Sequence, residues 1–357
     1  MRKNIIYTAG LLFLAWLFLF SGCGKEVANK PELGSSEQNS SINEPAGKKP
    51  IIMKIGTQSA ESSCEVKVLE YFEQLVEKKS DGAIDIRIYP DSKLGTLQEL
   101  MQGVSLGTIE MATVGMDAYM NYYQDFAVFN MWMFSGPEDF IRLYQSPIGD
   151  QLKEVLQEQS GIRILSYNLC GTGKLYFWGN KSIETVGDFS GLKVRSNSSY
   201  TNPVAIESFG AVPIQVAWTD MQTALQAGVI DIACGDVENI LASGYDSSLT
   251  YRYDGPENFL ASSICISEKV WSSLPSELCT LLEETLVEAC QTYGNGLYVN
   301  RFIETETRLA ESGVITLPMQ DGEKAAMASL IRTAILDYLY NIVSPETLQE
   351  MKEILEI

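Results

Sequence analysis

The sequence predicts an α/β protein of two domains, and three observations carry that prediction. Segments with the two-residue period of strands alternate with segments of helical period along most of the chain, as in sheets assembled from βαβ units. Beyond an N-terminal stretch of about 50 residues with little to bury, about 300 residues remain, enough for two ordinary domains. Hydrophobic residues make up 45% of the chain, the share of an ordinary globular core. After the N-terminus no apolar run is long enough to span a bilayer.

The N-terminus reads as an export signal. Arg2 and Lys3 precede an uncharged apolar run from Ile5 to Phe20, and Ser21-Gly22 sets small residues before Cys23. That order of charge, apolar run and cleavage site marks a secretory signal over residues 1–22. The run is shorter than the roughly 20 residues a spanning helix needs. Cys23 directly after Ser-Gly resembles a bacterial lipobox, with Phe20 where Leu is usual. The resemblance implies a lipidated Cys23 held in the membrane by two acyl chains, at about 0.8 kcal/mol per buried CH₂. Residues 23–50 then form a flexible tether, because Ser35, Ser36, Asn39, Ser40, Ser41 and Pro45 supply no core.

The elements follow in order. Lys54 to Thr57 is a first strand that ends in a polar loop, Gln58 to Ser63. Glu65 to Lys79 is an amphipathic helix with Val68, Phe72, Leu75 and Val76 on one face. Asp81-Gly82 turns the chain, and Ile84, Ile86 and Ile88 alternate with polar residues as a half-buried strand until Pro90. Thr96 to Ser105 is a helix closed by Gly107, and Ile109 to Val114 a short strand. The apolar stretch Phe126 to Phe134 is assigned to the core. Asp139 to Gln157 is helical and Ile162 to Tyr167 a strand. Leu192 to Arg195, Val212 to Val216, Val229 to Ala233 and Phe259 to Ile266 are further strands. Pro203 to Phe209 and Thr219 to Ala227 are short helices. Two long helices, Ser276 to about Ser312 and Gly322 to about Tyr340, complete the chain, with Gly294 and Gly296 a weak point in the first.

Charge and composition exclude several functions. The formal net charge is −20, and only Arg2 and Lys3 precede Cys23, so the mature body is more acidic still. Such a body repels nucleic acid and anionic headgroups, and an anionic ligand needs a local basic site. There is no histidine, which removes Ser-His-Asp and Cys-His catalysis and any His-ligated metal. No cofactor and no metal site are expected. Of the seven cysteines, Cys64, Cys170, Cys234, Cys265, Cys279 and Cys290 remain beside Cys23. They are scattered and read mostly as buried thiols, with room for one bridge. Gly171-Thr172-Gly173-Lys174 lacks the Ser or Thr of a phosphate loop, since Leu175 follows. Glu283-Glu284 reads as a solvated helix face rather than a catalytic carboxylate pair.

An ordered set of motifs then carries a resemblance. Tyr89-Pro90-Asp91-Ser92-Lys93-Leu94-Gly95 and Gly107-Thr108-Ile109-Glu110-Met111-Ala112 come first. Asp188-Phe189-Ser190-Gly191-Leu192-Lys193-Val194-Arg195 follows. Gly210-Ala211-Val212-Pro213 leads to Ala224-Leu225-Gln226-Ala227-Gly228-Val229-Ile230-Asp231, and Trp271 to Leu274 closes the set. Over about residues 51–340 this resembles the extracytoplasmic solute receptor of tripartite ATP-independent periplasmic (TRAP) transporters, the DctP-like family. The resemblance implies a two-lobe, periplasmic-binding-protein-like (type II-like) α/β fold with hinge strands and a long connecting helix. Lobe I would comprise 51–172 with 261–300, and lobe II 173–260 with 301–357.

The same resemblance implies where a ligand binds. Arg195 matches the arginine that grips the ligand carboxylate, and a guanidinium suits that task because its planar donor fork fits a carboxylate bidentately. Trp218 matches an aromatic ligand contact. Thr57 and Gln58 occupy the loop after the first strand, and Gly115, Met116 and Asp117 the second contact loop. Two departures stand out. The family's second basic residue falls on Leu175, with Lys174 the nearest cation, and its ligand-binding Asn position falls near Gly235. A less polar pocket follows, one that an apolar or aromatic monocarboxylate would fit beside Tyr176, Phe177 and Trp178. The function expected is therefore an extracytoplasmic, lipid-anchored solute receptor, monomeric and not an enzyme. It would close on a small organic acid and deliver it to the small and large integral membrane subunits of a transporter. The alternatives are a ligand-binding module for a membrane sensor and a surface enzyme using carboxylate chemistry.

Overall fold

The computed structural model describes residues 49–170, 173–197 and 200–357. The expected leader, Cys23, nearly all of the tether, and Gly171-Thr172 of the rejected phosphate loop lie outside them. The first layer starts from β1 (Ile51–Gly56), α1 (Cys64–Lys79) and β2 (Ile84–Tyr89). Ser63 caps α1 by accepting from the Val66 N–H, and Val68, Leu69, Phe72 and Val76 are wholly buried. Each such side chain contributes about 1.5–3 kcal/mol through burial. α2 (Leu97–Leu106) opens with a reciprocal Thr96–Glu99 capping box and closes on Gly107 at φ 74°, a left-handed position that glycine adopts without a Cβ penalty. β3 (Met111–Gly115) follows.

Residues 116–133 then form three 3₁₀ segments rather than a helix or strand. Their aromatic and Met side chains fill the core as expected, with Trp132, at 4%, the most exposed side chain between Phe126 and Phe134. The single helix expected over 139–157 is two, α3 (Pro137–Tyr144) and α4 (Pro147–Ser160). Pro147 has no N–H for the previous turn and pushes Ser146 out of helical geometry; Ser146 instead caps α4 through Gly149. β4 (Ile162–Asn168) ends this part.

The second layer comprises β5 (Tyr176–Gly179), β6 (Lys193–Ser196), α5 (Thr201–Ser208), β7 (Val212–Gln215), α6 (Met221–Gln226), β8 (Ile232–Gly235), α7 (Val237–Ala242) and β9 (Tyr251–Asp254). The chain then returns to the first layer with β10 (Ser262–Ser267) and α8 (Glu268–Trp271). α9 (Ser276–Leu286) and α10 (Asn295–Ser312) are joined without a break by a π-helical stretch, Val287–Gly294, so the weak point expected at Gly294 is a change of helical pitch. β11 (Ile315–Pro318), α11 (Glu323–Ile342) and α12 (Pro345–Leu355) finish the chain.

Two mixed sheets result, ordered β2-β1-β3-β10-β4 and β11-β9-β5-β8-β6-β7. β1 pairs in parallel with β2 and β3, while β10 runs antiparallel between β3 and β4. In the second sheet β6 is parallel to β7 and β8, and β5 is antiparallel to β8 and β9. Both outer strands of the second sheet, β7 and β11, contain a proline, which is tolerated at an edge because no ladder N–H is needed there. Leu175, just before β5, and residues 255–261, between β9 and β10, stand where the chain passes from one sheet to the other. Asn258 ties them together, accepting from the Leu175 N–H at 2.9 Å and donating to the Leu175 carbonyl at 2.9 Å. α11 packs on α5 and on the 3₁₀ segments, and α12 on α3, so the C-terminal helices straddle both sheets. Among the described residues no helix is long and apolar enough to cross a membrane.

Candidate functional site: a cleft between the two sheets

A cavity of about 140 Å³ opens where the carboxyl ends of β1 and β3 face those of β6 and β8, the position where open α/β sheets hold ligands. The sequence motifs build its walls. The Tyr89–Gly95 loop fastens the first contact loop: Ser92 N–H donates to the Thr57 carbonyl and Asp91 N–H to that of Ser59. Thr57 and Gln58 thereby line the cavity. The Asp188–Arg195 motif launches β6. The Asp188 carboxylate accepts from the Glu184 and Thr185 N–H groups, and those bonds hold it below its ordinary range. Gly191, at φ 72°, turns the chain, and its N–H donates to the Gly210 carbonyl.

Strand alternation then buries Val194 and Ser196 and turns Arg195 to the cavity. Its Nε donates to the Val216 carbonyl at 3.1 Å and one Nη to the Cys234 carbonyl at 3.2 Å. Among the described residues no carboxylate forms an ion pair with it. Burial pulls its pKa down from the ordinary value, yet a guanidinium starts high enough to stay cationic. Trp218 lies beside it, ring centroid 5.6 Å from the guanidinium carbon, and is held by Ser243 and by Tyr245, whose hydroxyl donates to the Trp218 carbonyl. Gly235 is close-packed: a Cβ there would stand 3.0 Å from the Trp218 ring.

The structure thus brings Thr57, Gln58, Gly115, Arg195, Trp218 and Gly235 to one cavity. It does not bring Met116 or Lys174 there. Met116 is wholly buried in the core, because Gly115 ends the strand and the first residue of the 3₁₀ turn points inward. Lys174 pairs with Glu257 at 3.0 Å and Asp254 at 3.4 Å, acids just after and at the end of β9. Nor do the three aromatics of β5 face this cavity. Phe177 packs with Trp132, Phe189 and Phe209, and Trp178 is wholly buried and donates to the Gly235 carbonyl. Tyr176 faces a neighbouring cavity with Lys174 and Arg301. The aromatic-ligand expectation loses its support, since strand alternation sends all three rings into the cores or away. Glu283 and Glu284 are exposed on α9.

Three acids that sequence reading did not assign to binding, or placed only at the rim, also line the cavity: Glu65, Asp117 and Asp236. Glu65 is 2% exposed. It accepts from the hydroxyls of Thr57 at 2.5 Å, Thr113 at 2.7 Å and Ser262 at 3.0 Å. A signal for it was present: Glu65 stands one turn before Val68 and Leu69, an acid on the apolar stripe of α1. Asp236 caps α7 through Asn239 and pairs with Arg301 at 3.1 Å. Arg301 in turn donates to the Cys170 carbonyl and faces Glu238 at 2.8 Å. The Cys64 N–H donates to Glu238 at 2.5 Å, so this cluster joins α1 and the Cys64–Cys170 disulfide to α7 and the long helix. Cys234, Cys265 and Cys290 are buried thiols and Cys279 is half-buried.

Comparison with known proteins agrees with this geometry. Residues 55–340 match DctP, described as bacterial extracellular solute-binding protein, family 7. The chain is 25% identical over 322 residues to the C4-dicarboxylate-binding periplasmic protein DctP of Rhodobacter capsulatus, covering 90% of this chain and 96% of that protein. It is 23% identical to the 2,3-diketo-L-gulonate-binding periplasmic protein of Escherichia coli, covering 82% and 85%. Among solved structures, a TRAP periplasmic solute-binding protein of Haemophilus influenzae with bound L-gulonate superposes with a TM-score of 0.79. It is 23% identical, with 85% of this chain and 99% of that one covered. One of Shewanella oneidensis with bound succinate gives 0.79 at 19% identity, covering 86% and 99%. The fold is that of two-lobe periplasmic binding proteins. This chain belongs to the DctP family of bacterial extracellular solute-binding proteins, the solute receptors of TRAP transport systems.

Proposed function

We propose that the protein is an extracytoplasmic receptor that captures a small organic acid between its lobes and delivers it to the membrane subunits of a TRAP transporter. It is tethered to the outer face of the membrane through Cys23 and acts as a receptor, not an enzyme. The observation that carries this reading is Arg195, a desolvated guanidinium lining the cleft with no carboxylate paired to it among the described residues. Two of its nitrogens are fixed by backbone carbonyls, so the end-on edge of the fork is oriented in advance for a carboxylate. Relatives are receptors that bind such acids, among them L-gulonate and succinate.

The cavity, about 140 Å³, suits a small organic acid. The two lobes move about the crossing tied together by Leu175 and Asn258, and the ligand biases that hinge by binding the closed form better. The test is thermal unfolding of the detergent-solubilised full chain against a panel of small organic acids, wild type beside Arg195→Ala. A ligand at about 100 times its Kd adds about 2.7 kcal/mol of apparent stability. Losing charge-assisted hydrogen bonds of about 1.5–3 kcal/mol should remove most of that gain. A shift that survives Arg195→Ala, or no shift with any acid, would reject the reading.

A further inference from the structure

We infer that Glu65 is a positioning residue of the cleft: it fixes the loop that presents Gln58 and Ser59 to a bound ligand and does not contact that ligand itself. The inference rests on the carboxylate-receptor reading above. Gln58 and Ser59 line the cavity and are half-buried, so they have surface to offer. Glu65 is 2% exposed and Thr57 1%, so these two have almost none. The Thr57 hydroxyl donates to Glu65 at 2.5 Å and accepts from the Ser59 N–H at 3.0 Å. A hydroxyl proton rotates to suit its acceptor. With Glu65 taking that proton, the oxygen keeps a lone pair directed at Ser59. The resulting bond, from a side chain to the N–H two residues on, closes a turn around Gln58.

The same carboxylate holds the neighbouring wall. Thr113 of β3 donates to it at 2.7 Å, and Ser262, the first residue of β10, at 3.0 Å. Ser262 stands opposite Gly115 in the ladder between β10 and β3. The three hydroxyls lie 8, 48 and 197 residues from Glu65 in the chain, so one buried group gathers the cleft ends of β1, β3 and β10. Backbone bonds from Ser92 and Asp91 hold the Thr57 and Ser59 carbonyls, and the Ser59 N–H is left to the Thr57 hydroxyl. An apolar side chain would fill this place on α1 without the desolvation a buried carboxylate requires. What the acid adds is the orientation of three donors.

Hydrogen exchange and calorimetric titration of the detergent-solubilised full chain test this, with succinate and L-gulonate as probes. The variants are Glu65→Gln, Thr57→Val, Thr57→Ser and the double variant Glu65→Gln/Thr57→Val. A residue that only supports the fold would loosen α1 and the loop alike. In Glu65→Gln and Thr57→Val we expect exchange over residues 57–63 to accelerate about tenfold more than over residues 68–76 of α1. Thr57→Ser keeps the hydroxyl and should keep the wild-type loop. Each of the first two substitutions should weaken the tighter-binding acid about tenfold, and the double variant no more than either alone, because both cut one relay. Losses that multiply to about a hundredfold in the double variant would show Glu65 acting on the ligand independently of Thr57 and overturn the inference. Loop exchange that merely follows α1 in both single variants would overturn it too. Should Glu65→Gln fail to fold, the loop exchange of Thr57→Val against Thr57→Ser decides. A loop loosened as expected in a chain whose wild type binds neither acid would uphold the positioning of the loop and count against the carboxylate-receptor reading alone.

Discussion

Glu238 is the group whose charge should govern stability near neutral pH. It is 7% exposed, and burial pushes its carboxyl from 4.5 up to about 7. Arg301 Nε lies 2.8 Å from its Oε2 but is not aligned as a hydrogen-bond donor to that oxygen. The attraction therefore offsets only part of the desolvation. Below pH 4.5 the group is protonated whether the chain is folded or not, and its stabilising contribution is fully present. Between 4.5 and 7 the folded state keeps a proton that the unfolded chain has released, so stability falls as pH rises. At 1.36 kcal/mol per pH unit, the loss is about 3 kcal/mol once pH 7 is passed.

The window is clear because the chain has no histidine. Carboxylates held low, such as Glu257 and Glu268, contribute stability that is lost only as pH falls below the ordinary carboxylate range. Glu73 is raised, by burial first and then by Asp85, so the comparison must be made against Glu238→Gln in the same background. The amide keeps an oxygen for the Cys64 N–H and cannot titrate. Urea unfolding at pH 5 and pH 8 should show the wild type losing about 2.5 kcal/mol across the interval, and the variant losing much less. Equal losses in both proteins would refute the argument.

Two further outcomes follow from the structure. Cys64 and Cys170 close a loop with a sequence separation of 106; the chain-entropy model assigns about 4.7 kcal/mol to a loop of about that size. Cys64→Ser should therefore lower the urea midpoint by a comparable free energy, and a reductant should do the same to the wild type but not to the variant. Gly235→Ala would place a methyl 3.0 Å from the Trp218 ring and push that ring from its seat beside Arg195. Ligand affinity should fall about tenfold, a change of 1.4 kcal/mol, with a unfolding midpoint close to wild type in the absence of ligand; unchanged affinity would show that Trp218 is not a contact.

Much of the fold was legible because local rules and tertiary packing agreed. The alternation of Ile84, Ile86 and Ile88, the stripe of α1 and the glycine after α2 each specify an element within a few residues of chain. Where they competed, tertiary context won: the 3₁₀ segments of 116–133 have no periodicity to read, and β9 and β11 are four residues long, below the length at which a period is visible. Pro147 did carry a stop signal, and reading one helix through it ignored the cost of its missing N–H.

For the site, the sequence pointed to Arg195 through the resemblance its motifs carry, and the strand that ends on it was legible beside that. It also determined that a cation is missing at position 175, that histidine chemistry is absent, and that the body is acidic. Only the tertiary structure decided the rest. Glu65 and Ser262 lie 197 residues apart, and no local pattern says that they meet or that Asp117 joins them. Lys174 was near in sequence and is held away by acids 80 and 83 residues downstream. Charge balance in a cleft is a property of what two lobes bring together, and each lobe's sequence specifies only its own half.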